Sequence, residues 1–146
     1  MDITAALDAP HPPADVRPWV EDLERYPQWL TIVPRAVPDP PAPGDEGPAW
    51  SIHLRGKVGP LSRSKRLRMV RTRAEEHEIV FERREVDGQQ HSAWVLRASL
   101  APQPAGTTLT MHLHYGGQLW EALVERLLRD EIEQSRVRLL DRLAGR

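Results

Sequence analysis

The chain has 146 residues, 40% of them hydrophobic, which suffices for one core and one ordinary domain. No apolar run approaches the ~18 residues of a membrane-spanning helix, and the N-terminus shows neither the basic nor the apolar region of a signal peptide. A net charge of −1 argues against a dedicated nucleic-acid binder, and zero cysteines exclude disulfides, thiolate metal ligands and cysteine nucleophiles.

The first element is a short strand. Asp2 to Leu7 alternates, with Ile3, Ala5 and Leu7 on one side. Pro12 or Pro13 can then open a helix, because a first-turn proline loses no hydrogen bond. Val16, Trp19, Val20 and Leu23 follow helical spacing to about Arg25. Pro18 conflicts with that pattern, since an interior proline costs ~3 kcal/mol, so a late start or a kink is expected there. Pro27 begins another turn carrying Gln28, Trp29 and Leu30. Residues 34 to 48 hold six prolines with Gly44 and Gly47, which predicts a loop with a broken edge strand near Arg35 to Val37.

From Ala49 the chain alternates in four runs, 49–58, 61–73, 77–86 and 90–100, and a fifth at 107–115. Gly59-Pro60 and Asp87-Gly88 read as two-residue turns, the second being the strongest hairpin signal in the chain. These turns pair Trp50 with Met69, Ile52 with Leu67, Phe81 with Trp94, Ile79 with Leu96 and Arg83 with Ser92. A turn near Glu75 sets Met69 beside Phe81. The same logic across Ala101 to Gly106 pairs Trp94 with Leu113 and Leu96 with Met111. All the bulky side chains then share one face: Trp50, Ile52, Leu54, Leu67, Met69, Ile79, Phe81, Trp94, Leu96, Leu109, Met111 and Leu113. The outer face pairs Arg68 with Glu82 and Glu78 with Arg97.

Gly117 to Arg142 reads as one long helix of ~36 Å. Its stripe of Leu119, Trp120, Leu123, Val124, Leu127, Leu128, Ile132, Leu139, Leu140 and Leu143 recurs every three or four residues. Such a stripe needs a broad apolar surface, and the inner face of the meander supplies it. The predicted fold class is α+β, a curved antiparallel sheet gripping a C-terminal helix, with two short helices near the N-terminus. The gap between sheet and helix is the expected site.

Continuing the inner face toward one end reaches polar residues: Lys65, Arg83, Glu85, Gln90, Ser92 and Tyr115. They read either as an ion network closing that end or as a polar mouth. In the second case Arg83, Ser92 and Tyr115 orient a carbonyl, phenol or carboxylate whose body rests on Trp94 and Phe81. Glu131 falls inside the helix stripe, with Ser135 near it. It is either a stripe edge meeting solvent or a carboxylate facing the cavity as a general base. The expected ligand-lining set is Trp29, Ile52, Leu54, Lys65, Leu67, Phe81, Arg83, Ser92, Trp94, Met111, Tyr115, Leu127 and Glu131. Arg83, Tyr115 and Glu131 are the catalytic candidates.

Other motifs are weaker. His112 and His114 share a strand face but lack a third ligand, so no metal is expected. There is no glycine-rich phosphate loop and no serine–histidine–acid signature, and no cofactor is expected. Residues 55 to 73 carry eight basic residues without an acid, yet the next strand offers Glu75, Glu76, Glu78, Glu82 and Glu85 to neutralise them.

One segment carries a family resemblance. Val20-Glu21-Asp22-Leu23-Glu24-Arg25-Tyr26-Pro27-Gln28-Trp29-Leu30 is similar to the D-x-x-x-Y-P-x-[FW]-L segment of the START-like (SRPBCC) helix-grip superfamily. The match is to its polyketide cyclase/dehydrase and coenzyme Q-binding branch, which also includes ribosome-associated toxin proteins. Trp50 to Gly56 and the final helix sit where that family has them. The resemblance implies a single START-like domain over residues 1–146, with a deep cavity for apolar or aromatic molecules and no fixed catalytic set. The first functional expectation is therefore binding or carriage of a small hydrophobic ligand, lipid-like, quinone or polyketide. A cyclase, aromatase or dehydratase is the alternative, and a ribosome- or RNA-interacting protein ranks last. The expected partner is the small ligand; a homodimer remains open, and the cysteine-free composition fits a cytoplasmic location.

Overall fold

The computed structural model describes residues 1–58, 61–117 and 121–146, with the side chains of residues 57, 58, 61, 63, 121–124, 127 and 128 outside that description. Strand β1 (Asp2–Ala9) is followed by two helical turns, α1 (Pro13–Val16) and α2 (Pro18–Glu21), and a 3-10 segment, Leu23–Gln28. Strands β2 (Arg35–Asp39), β3 (Ala49–Val58), β4 (Leu61–Ala74), β5 (Glu78–Arg83), β6 (Trp94–Gln103) and β7 (Gly106–Tyr115) follow, and helix α3 (Glu121–Leu143) ends the chain. The conflict at Pro18 is resolved by splitting the helix. Each proline opens its own turn, where its missing N–H costs nothing.

The strands form one antiparallel sheet in the order β1-β7-β6-β5-β4-β3-β2. Strand β1 runs beside β7, pairing Ile3 with Leu113 and Leu7 with Leu109. The edge strand β2 tolerates Pro38, because among the described residues no strand lies on its outer side to accept a hydrogen bond. Helix α3 crosses the inner face, touching β1 and β3, with Leu139 almost fully buried. This is the helix-grip architecture that the alternation and the terminal stripe predict.

Face parity holds throughout the meander, and the pairing of β3 with β4 is as expected. Three other registers are displaced by two residues. Phe81 pairs with Leu96 and Ile79 with Ala98. Trp94 pairs with Tyr115 and Leu96 with Leu113, because β6 and β7 run on into a two-residue turn at Pro104-Ala105. Met69 faces Arg83 rather than Phe81, and a bulge between Arg71 and Arg73 absorbs one residue. The Asp87-Gly88 pair does not close a tight hairpin. Instead β5 ends at Arg83 and β6 begins at Trp94, and the Asp87 carboxylate accepts from Gln89 N–H within the loop between them. A displacement of two keeps every side chain on its own face, so the inner surface survives the change of partners. Ser92 therefore lies in the loop and not opposite Arg83 in the ladder, and Gln90 is exposed.

Arg68 does not pair with Glu82 across the outer face. Its guanidinium bonds Asp39 at 2.7 Å, both Asp45 oxygens at 2.8 and 3.1 Å, and the carbonyls of Pro40 and Arg84. It pins the proline-rich loop onto the back of the sheet. The expected contact between Arg97 and Glu78 is present at 2.8 Å, made diagonally.

Candidate functional site

The inner face divides into a solid half and a hollow half. Over β3 to β5, the helical turns at Val16–Gln28 fill the concavity. Phe81 is fully buried, 5.6 Å from the Trp50 ring and 6.2 Å from that of Tyr26, both in edge-to-face contact. The Tyr26 hydroxyl donates to Val20 O, and burial pushes its phenol far above the ordinary tyrosine range. Ile52 and Leu67 belong to this same solid region.

Between α3 and the strands β1, β7 and β6 lies a cavity of about 110 Å3. Its sheet wall is Ala5, Leu7, Leu96, Leu109, Met111 and Leu113; its helix wall is Ile132, Ser135, Arg136 and Leu139. Trp29, Leu30 and Ile32 close one side, with Trp29 held by its Nε1 donating to Trp19 O at 3.0 Å. The volume is of the order of the ~150 Å3 apolar cavity that accepts a benzene, so this space takes one ring or the terminal carbons of an alkyl chain. The lining is almost wholly apolar. Glu131 is the one carboxylate among the lining residues, and it accepts a hydrogen bond from the exposed Thr31 Oγ1. Ser135 Oγ donates to the Glu131 carbonyl at 2.7 Å.

The polar residues gather one step further along the same face. Trp94 and Tyr115 are directly opposed and lie two residues beyond Leu96 and Leu113, a shift of roughly 7 Å along the strands. Their rings sit 4.8 Å apart. Arg83 Nε bonds Glu85 Oε2 at 2.9 Å, and Arg83 Nη1 donates to Ser92 O at 3.2 Å. Lys65 Nζ lies 6.0 Å from the Trp94 ring centroid. Desolvation, and then the neighbouring Arg83 charge, hold the Lys65 ammonium below the ordinary lysine range, with Glu85 opposing.

This geometry accords with the sequence family. Residues 1–145 match the family described as polyketide cyclase / dehydrase and lipid transport. The chain belongs to that polyketide cyclase/dehydrase family. Solved structures of the same fold include a protein from Thermus thermophilus, with a TM-score of 0.76, 18% identity and coverage of 99% of this chain and 98% of that one. A START superfamily protein from Mycobacterium smegmatis has a TM-score of 0.73 at 16% identity, covering 99% and 97%. The di-domain ARO/CYC StfQ of the steffimycin biosynthetic pathway has a TM-score of 0.70 at 14% identity; this chain covers 50% of it. No curated protein matches the sequence.

As a member of this family, the chain places its sequence-predicted residues in three environments. Trp29, Met111 and Glu131 line the cavity. Lys65, Arg83, Ser92, Trp94 and Tyr115 form the polar end, where Ser92 acts through its main-chain carbonyl. Ile52, Leu67 and Phe81 are core. Leu54 is half-buried against that core, and the Leu127 side chain lies outside the described residues. Glu131 and Tyr115 do not converge: Glu131 is tied to Thr31 at the rim. Sequence reasoning did not single out Thr31 or Arg136 as part of the site: Thr31 lies outside any periodic run, and Arg136 falls between Ile132 and Leu140 in the helix stripe but carries a charge. His112 and His114 each reach the Asp2 carboxylate at 3.0 Å on the outer face.

Proposed function

We propose that the protein binds and carries a small hydrophobic or aromatic ligand in the cavity between β1, β7, β6 and α3. The observation that carries this reading is an apolar hollow beside a fully packed core. A protein interior normally fills such a space, since each unfilled volume forfeits contacts. The family description, which includes lipid transport, supports the same reading. The test uses methyl-labelled methionine and 4-propylphenol. Of the three methionines, Met111 lines the cavity, Met69 is buried in the core and Met1 is not among the lining residues, so only the Met111 methyl resonance should shift saturably. Filling the space with Leu113→Trp should abolish that shift. A Met111 signal indifferent to millimolar 4-propylphenol, or a response surviving Leu113→Trp, would remove the proposal.

A cyclase, aromatase or dehydratase activity is the second reading. It rests on Arg83 and the Tyr115 phenol standing at the end of the inner face, where they can polarise a carbonyl. Glu85 is the carboxylate beside them, and Glu131 is engaged by Thr31. Turnover persisting at wild-type rate in Arg83→Ala and Tyr115→Phe would eliminate it. The RNA reading has less support. Arg68 pairs with Asp39 and Asp45, Arg71 with Asp22, and Arg73 with Glu75 and Glu78, which neutralises that half of the hairpin.

A further inference from the structure

The polar end contains donors in excess of acceptors. Trp94 is 8% exposed, and its Nε1–H is buried with no hydrogen-bond partner among the described residues. A buried indole N–H normally finds an acceptor. Lys65 has no carboxylate at salt-bridge distance among the described residues, and its ammonium faces the Trp94 ring. Arg83, by contrast, is engaged by Glu85 and Ser92 O. The Tyr115 hydroxyl adds a third free donor among the described residues. Among the side chains of the cluster two cations, Lys65 and Arg83, face one anion, Glu85; Arg83 holds that anion, so the side-chain charge left over, +1, is on Lys65.

This arrangement sits at the end of an apolar track. From Trp94 and Tyr115 the same face passes to Leu96 and Leu113, and then to Met111, over roughly 14 Å. Lys65 is solvent-accessible, while Leu109 and Leu139 at the far end are buried. A ligand with a charged end at Lys65 and an apolar end beside Met111 satisfies both regions without burying its charge.

We propose that the carried ligand is an amphipathic carboxylic acid, its carboxylate received by Lys65 and Trp94 Nε1–H and its hydrocarbon lying along Leu96, Leu113 and Met111. The proposal rests on the carrier reading and specifies its ligand class. A carboxylate supplies acceptors only and a single negative charge, matching three donors and a net +1. A phosphate monoester would bring nearly twice the charge, with Arg83 already committed to Glu85. Burial and then the Arg83 charge lower the affinity of Lys65 for its proton, with Glu85 opposing, and an anion beside the ammonium would act in the same sense as Glu85.

The experiment compares decanoate, decanol and decylamine, which share a tail and differ in head, by titration calorimetry on the full chain at pH 7. Decanoate should bind at least tenfold more tightly than decanol, and decylamine more weakly than either. Lys65→Met should lower decanoate affinity about tenfold while leaving decanol unchanged, and Trp94→Phe should weaken decanoate severalfold with the ring stacking kept. Decanol binding as tightly as decanoate, or a decanoate preference that survives Lys65→Met, would overturn the head-group assignment and leave the carrier reading standing. Failure of all three to bind, with the protein folded, would overturn both.

Discussion

Arg68 shows how much a single residue can organise. It stands on the outer face of β4 with its side chain only 5% exposed, and its side-chain partners lie at the end of β2, in the 40–45 segment and at the start of the 84–93 loop. Removing it would leave Asp45, itself 8% exposed, without its cation. Breaking such a pair from one side costs about 3 kcal/mol, so Arg68→Ala should lose that much stability in urea unfolding. Its pH dependence has a definite sign. The Arg68 hydrogen bond, followed by the Ala42 N–H, holds the Asp45 carboxyl below the usual carboxylate range. A lowered folded pKa means the stabilisation is complete above the unfolded value of ~3.9 and fades as pH falls through the folded value. The gap between wild type and Arg68→Ala should therefore narrow below about pH 4; a gap constant to pH 2 would refute the ion-pair account. The sequence did not reveal this anchor. Periodicity assigns Arg68 to the outer face, where a cross-strand glutamate is the natural partner, and says nothing of a loop folding back 23 residues away.

At the scale of elements, alternation was readable and register was not. Period-two patterning depends only on which face is buried, and that signal is strong from Trp50 to Leu113. Register depends on loop geometry. The chain uses ten residues, 84 to 93, where Asp87-Gly88 invites two. The Arg83–Glu85 pair and the Asp87 turn hold that longer loop in place. Glycines at the turns make a measurable contrast. Gly106 has φ +151, and a Cβ there would collide with the Ala9 carbonyl at the end of β1. Gly88 has φ +72 but open space around it. Gly106→Ala should thus cost about 3 kcal/mol, combining strain with displacement of β1, whereas Gly88→Ala should cost about 1 kcal/mol. Thermal melts of the two variants read this directly, and equal losses would mean that the approach of β1 to the β6–β7 turn contributes nothing.

For the whole molecule, the consequential feature is asymmetry under one helix and one sheet. Sequence parity brought Phe81 and Met111 to the same face but could not distinguish their depths, because depth depends on what covers each region. The helical turns after β1 cover Phe81; Met111 faces the hollow under α3, closed on one side by Trp29, Leu30 and Ile32. The two should respond oppositely to truncation. Phe81 is fully enclosed by Tyr26, Trp50 and its strand neighbours, so Phe81→Ala opens a new void and should cost about 4 kcal/mol. Met111 already borders empty space and is half-buried, so Met111→Ala removes fewer contacts and should cost about 1 kcal/mol. The effects on binding should reverse. The enlarged hollow in Met111→Ala should admit 4-hexylphenol more tightly than wild type does, while folded Phe81→Ala should bind 4-propylphenol within twofold of wild type. Stability would then reside in the filled half and recognition in the open half. Equal destabilisation by both truncations would instead show a uniformly filled interior, and the ligand would have to bind elsewhere.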